Sequence, residues 1–108
     1  MKKALKKKWV KALRSGNYEQ GPGFLCSHGN YCCLGVLLEE TYGEDGWVVS
    51  QYPKLSHEAN GNSTGFLNGT VAMRLGLAEG VIDRLMGMND VGTEFGEIAD
   101  WIEENVES

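Results

Sequence analysis

Residues 30–43 are the densest apolar run in the chain, and the hydrophobic spacing around them predicts the other elements. Leu5, Trp9 and Leu13 recur every four residues, with Val10 and Ala12 beside them and lysines on the remaining faces. That spacing predicts a helix over residues 3–15, stopped by Gly16, with Arg14 where the helix dipole favours a cation. From Leu34 the period is helical again, with Leu34, Leu37, Leu38 and Thr41 on one face, Glu39 and Glu40 on the other, and Gly43 as the end. Gly35, in the first turn, predicts close approach of another backbone. Thr70 is placed to cap a short helix running to Leu75 and closed by Gly76. Residues 79–86 form another, with Val81, Ile82, Leu85 and Met86 inward, and residues 87–92 a turn. Thr93 is expected to cap the last helix, whose buried stripe is Phe95, Ile98, Ala99, Ile102 and Val106, with Trp101 beside it.

Strand signals are short. Phe24-Leu25-Cys26 and Tyr31-Cys32-Cys33 flank turn residues and predict an antiparallel hairpin. Trp47-Val48-Val49 is a further short strand, ended by Pro53. Residues 17–23 carry turn chemistry. Residues 54–68 are polar, with two Asn-Gly steps, and predict a long loop or loose hairpin of the kind that is often functional. The expected fold is a compact single α+β domain over residues 1–108, with four to five short helices packed around a small antiparallel β-hairpin. Trp9, Leu13, Phe24, Cys33, Leu34, Leu37, Leu38, Leu85, Phe95, Ile98 and Ile102 form its predicted core.

Composition narrows the class. An apolar fraction of 42% and a charged fraction of 23% are those of a globular chain, which excludes disorder. Fifteen glycines, about twice the usual share, call for many tight turns. No stretch approaches the roughly 18 apolar residues of a membrane helix, and the lysine-rich start lacks the apolar region of a secretory signal. Three cysteines without a signal fit free thiols in a reducing compartment, so a cytoplasmic location is expected.

Charge is distributed unevenly. Seven of the ten basic residues lie within the first fourteen positions, while residues 15–108 hold the other three against all fifteen acids, a net −12. A basic helix therefore opens an acidic body. Such a helix can contact nucleic acid, but docking on its own acidic body, or plain solvation, accounts for it more economically. No nucleic-acid or membrane partner is expected.

Cys26, His28, Cys32 and Cys33 offer thiolate and imidazole across the hairpin, the donor types zinc prefers. Adjacent cysteines on a strand point to opposite faces, so Cys26, His28 and Cys32 are the candidate metal ligands, and burial accounts for Cys33. A cysteine nucleophile with His28 or His57 as base would need an exposed thiol of lowered pKa, which the acidic body opposes. Residues 87–92 fail as a calcium loop because Gly87 stands where the first acid ligand belongs. Gly21-Pro22-Gly23 lacks the spacing and the lysine of a phosphate loop. No enzymatic activity and no cofactor are expected.

Three segments together carry a resemblance: Trp9-Val10-Lys11-Ala12-Leu13-Arg14-Ser15-Gly16-Asn17-Tyr18, Tyr31-Cys32-Cys33-Leu34-Gly35-Val36-Leu37, and Asn89-Asp90-Val91-Gly92-Thr93-Glu94-Phe95-Gly96-Glu97-Ile98-Ala99-Asp100. In this order they resemble a family of small bacteriophage and prophage proteins. The resemblance implies an accessory protein acting in the host cytoplasm, and it carries over no catalytic residues. The expected function is binding of a host macromolecule, a host protein first of all, to inhibit a defence or an enzyme. Glu97, Asp100, Glu104 and Glu107, at helical spacing on the last helix, are the partner-binding candidates, because a row of acids can imitate nucleic-acid phosphates at a basic site. One alternative is a protein that sequesters a nucleotide-type signal, with Tyr18, Trp47 and Tyr52 stacking a base and Arg14, Lys54 and Arg74 neutralising phosphates. Another is a zinc-stabilised interaction module. The oligomeric state is left open.

Overall fold

The computed structural model describes residues 1–108, the side chains of residues 50 and 51 excepted. At its centre is helix α2 (Cys33–Tyr42), in which Cys33 through Leu38 are all buried. Six consecutive buried positions mean that this helix is covered on every side, not amphipathic in the usual way. Helix α1 (Lys3–Arg14) lies against it through Trp9 and Leu13, and the Trp9 indole donates to the Cys33 carbonyl at 2.9 Å. Helices α3 (Gly69–Leu75), α4 (Glu79–Asp90) and α5 (Phe95–Asn105) complete the helical part, with α5 packed on α1 and α4 on α2.

The strands are β1 (Glu19–Gln20), β2 (Cys26–Ser27), β3 (Asn30–Tyr31), β4 (Trp47–Gln51) and β5 (Lys54–His57), in the sheet order β1-β3-β2-β5-β4. β1 runs parallel to β3, and the other pairings are antiparallel. The fold is therefore the expected α+β class, and the predicted hairpin is present with Cys26 opposite Tyr31 and Ser27 opposite Asn30. Its two-residue turn, His28-Gly29, has φ of +55° and +78°. Positive φ at both positions matches the twist of the flanking strands, and glycine adopts it without strain.

Several local expectations are corrected. Cys32 and Cys33 leave the strand, with Cys32 capping α2 and Cys33 opening it. Residues 17–23 contain β1, and residues 54–68 open with β5 and a 3₁₀ turn (Glu58–Asn60), because β2 and β4 supply β5 with partners on both sides. α4 continues one turn past Met86 because Asn89 points inward and is hydrogen-bonded there. Asn68, not Thr70, caps α3, accepting from the Thr70 amide. Thr93 makes no cap for α5; the Phe95 amide donates instead to Oε1 of Gln20, 3.1 Å away and 75 residues back in the chain.

The predicted core is buried except for Phe24, which is half-exposed beneath the Lys54 ammonium, 4.5 Å from the ring centre, while its neighbour Leu25 is the buried residue. A β-carbon on Gly35 would overlap the Leu25 carbonyl oxygen, so the predicted close backbone approach is present between α2 and the chain entering β2. No helix among the described residues is long and apolar enough to cross a membrane.

Candidate functional site

Charge organises the surface formed by α1 and α5. The two helices run antiparallel: the Met1 ammonium donates to the Glu107 carbonyl at 3.1 Å, Lys6 Nζ to the Glu103 carbonyl at 3.1 Å, and Arg14 lies beside Asp100 and Glu103. Arg14 spans both carboxylates, at 2.6 Å to Asp100 and 2.7 Å to Glu103, and these hydrogen bonds raise its pKa. They are the only ion pairs between side chains among the described residues. Among the described residues, ion pairing of the basic helix with the acidic body is thus carried by Arg14 alone, while Lys6 and the Met1 ammonium reach only backbone carbonyls. Lys3, Lys7 and Lys11 make no ion pair among the described residues and line an open groove of about 770 Å³ beside Val10 and Glu103.

The four acids proposed for partner binding are all exposed on α5 and the segment after it. Asp100 is held by Arg14, whereas the carboxylates of Glu97, Glu104 and Glu107 have no cationic partner among the described residues. Positions 97 and 104 are two helical turns apart and share one side of α5, about 10 Å apart at the helical rise, and Glu107 follows just past the helix end. The arrangement is a narrow acidic stripe whose buried back, Ile98 and Ile102, is fixed in the core.

The six residues of the nucleotide alternative are distributed over different elements. Arg14 is committed to α5, Lys54 to the face of Phe24, and Arg74 is exposed on α3. Tyr52 is 82% exposed at the β4–β5 turn. Tyr18 and Trp47 flank Tyr31, at centroid distances of 4.9 Å from Tyr18 to Tyr31 and 5.9 Å from Tyr31 to Trp47, edge to face. Their polar ends are already used. The Trp47 indole and the Tyr31 hydroxyl both donate to Oε1 of Glu39, at 3.0 and 2.7 Å, and the Tyr18 hydroxyl donates to Glu40 at 2.5 Å. Burial and then these carboxylates push both tyrosines above their ordinary pKa, so they remain donors. Glu39 and Glu40, placed by the helical period opposite the apolar face, are half-covered by this aromatic cluster.

The metal set is likewise corrected. His28 is exposed at the hairpin turn beside Ser27, whereas Cys26 is buried and Cys32 accepts from the Gly35 amide at 3.3 Å as the α2 cap. Among the described residues no group of three His, Cys, Asp or Glu side chains is placed to hold a metal ion. Burial raises the pKa of all three thiols, that of Cys32 to about 11, which keeps them protonated and poorly nucleophilic. His57 is buried and held from both ring nitrogens, by the Gly43 carbonyl at 2.8 Å and the Ala59 amide at 3.1 Å.

One further surface lies outside every site expected from the sequence. Between α3 and α4 runs a groove of about 660 Å³ with an apolar floor, flanked by Phe66 and Met73, which are 58% and 81% exposed. The signal for Met73 was present: with Val71, Ala72 and Leu75 inward, helical spacing turns Met73 to solvent. Phe66 lay in the stretch expected to be loop, and its setting depends on Asn60. The Asn60 side chain donates to the Phe66 carbonyl at 3.0 Å and accepts from the Asn68 amide at 2.7 Å.

The chain belongs to the family described as a domain of unknown function (DUF8296), whose model matches residues 1–59, the part holding α1, α2 and all five strands. No curated protein and no solved structure matches it.

Proposed function

We propose that this chain is a bacteriophage accessory protein that works in the host cytoplasm by binding a host protein at a basic site, inhibiting a defence or an enzyme. The observation that carries this reading is the α5 stripe: Glu97 and Glu104, on a helix whose other face is locked in the core, and Glu107 just past its end are exposed and unpaired among the described residues. A rigid backbone beneath the carboxylates needs no ordering when a cationic surface meets them, and the row of charge raises the rate of encounter with it. Binding is favoured over catalysis because the chemically versatile groups are used structurally: three buried, protonated thiols and a histidine held from both sides.

The test is affinity purification of the tagged chain from phage-infected cells, beside a Glu97→Lys, Glu104→Lys, Glu107→Lys variant. A host protein that co-purifies with the parent, is released by raised salt and is lost from the variant is the expected result. Retention by the variant removes the stripe from the interface. The absence of any host protein from the parent sample sinks the reading.

A further inference from the structure

We propose that the groove between α3 and α4 is a docking site for an amphipathic helix of a partner protein, one that carries lysine or arginine beside its apolar stripe. None of the residues lining the groove belongs to α5, so this surface stands apart from the acidic stripe. Its floor is built from Leu67, Leu77 and Ile82, each less than a tenth exposed, and Met86 lies partly covered beside them. Exposed Phe66 and Met73 stand over this floor, a large apolar area left uncovered on a small protein. Methionines adapt their shape to an incoming side chain, and an aromatic, with only two side-chain torsions, contributes area at little entropic cost. The Phe66 backbone is pinned: its carbonyl accepts from both Asn60 and Ser63, at 3.0 and 2.9 Å.

Charge selects the occupant. Glu79 and Asp83, four residues apart on α4, line the groove, and no lysine, arginine or histidine does so. A basic flank on the incoming helix would meet them, whereas an acidic one would be repelled. Length agrees as well, since the part of α4 that lines the groove, from Glu79 to Met86, spans about 10 Å, enough for two turns of a partner helix. A second copy of this chain does not supply such a helix readily. Its own basic helix, α1, has the apolar residues Trp9 and Leu13 buried against α2 and α5.

The probe is a synthetic leucine–lysine amphipathic peptide about three turns long, with its leucine–glutamate counterpart, titrated into the full isotope-labelled chain and followed by amide and methyl NMR. Because a basic peptide could also settle on the α5 stripe, the titration is repeated on the Glu97→Lys, Glu104→Lys, Glu107→Lys variant. The expected result is saturable binding of the lysine peptide in both backgrounds, with shifts at Phe66, Met73 and α4. Met73→Asp should weaken it by about tenfold or more, as truncation of an interface anchor does. Glu79→Lys with Asp83→Lys should transfer the preference to the glutamate peptide. All these positions are exposed, and the dispersion of the spectra checks the fold of each variant.

Binding that disappears in the α5 variant and survives Met73→Asp would overturn the proposal and assign the peptide to the stripe. Equal binding of both peptides, or no binding of either, would overturn it too. Self-association that Met73→Asp abolishes would give the groove to a second copy instead.

Discussion

Replacing Asn89 by alanine tests the joint that holds the helices to the sheet. Asn89 is 1% exposed and serves three elements at once. Its Oδ1 accepts from the Cys33 amide at 3.2 Å, where α2 begins, and from the Gln20 side chain at 3.0 Å, while its Nδ2 donates to the Gly21 carbonyl at 3.0 Å. Gln20 in turn donates to the Thr93 carbonyl at 2.7 Å and accepts from the Phe95 amide at 3.1 Å, so the entry to α5 depends on the same pair. Alanine leaves the Cys33 amide and the Gly21 carbonyl buried without partners, at about 1–3 kcal/mol each, whereas Gln20 keeps Thr93. We expect a loss of about 3–5 kcal/mol. At about 4 °C per kcal/mol for a chain of this size, the midpoint of thermal unfolding falls by roughly 12–20 °C. Urea unfolding followed by far-ultraviolet circular dichroism measures the same loss as a lower midpoint at an unchanged slope. The control is Asp90→Ala, next in sequence but exposed, where one hydrogen bond to the Gly23 amide is lost and the change should stay below about 1 kcal/mol. A loss at Asn89→Ala no larger than that of the control would refute the assignment of this network as the joint.

Other consequences are equally direct. Gly35→Ala drives a β-carbon into the Leu25 carbonyl and should cost about 3 kcal/mol or more, read as a collapse in soluble yield or urea midpoint; normal stability would mean that α2 can slide away. At neutral pH the buried thiols should react with a disulfide reagent far more slowly than free cysteine, and all three should react in denaturant. One thiol reacting at the free rate in the native protein would contradict their burial. Burial lifts Cys32 from an ordinary 9.0 to about 11, so the unfolded chain loses its proton first. The stability linked to Cys32 is therefore complete below pH about 9 and is lost as pH rises to about 11, a decline that urea midpoints across alkaline pH should trace and Cys32→Ser should lessen. Arg14→Ala removes both ion pairs of an exposed guanidinium, so its small loss in melting temperature should vanish in high salt; a loss that persists there would mean that packing of the Arg14 stem matters more than its charge.

Sequence alone determined whatever depends on near neighbours in the chain. The α1 and α5 stripes, the Gly76 stop and the hairpin turn at His28-Gly29 rest on a local period or on one residue's φ preference, and each lies where the spacing placed it. Gly35 was legible for the same reason, since a glycine in a strongly apolar helix has few uses other than close approach. Tertiary structure decided the rest, because its causes lie far apart in the chain. Gln20 caps α5 from 75 residues away, Asn89 draws another turn into α4, and β2 and β4 make a strand of residues that read as loop. The stripe of acids could be read from helical spacing, but which acid Arg14 occupies, and which remain free, required α1 and α5 to be side by side. The α3–α4 groove was least legible of all: Phe66 is apolar in a polar stretch, and hydrogen bonds from Asn60 and Ser63 hold its backbone at the edge of a floor made by Leu67, Leu77 and Ile82.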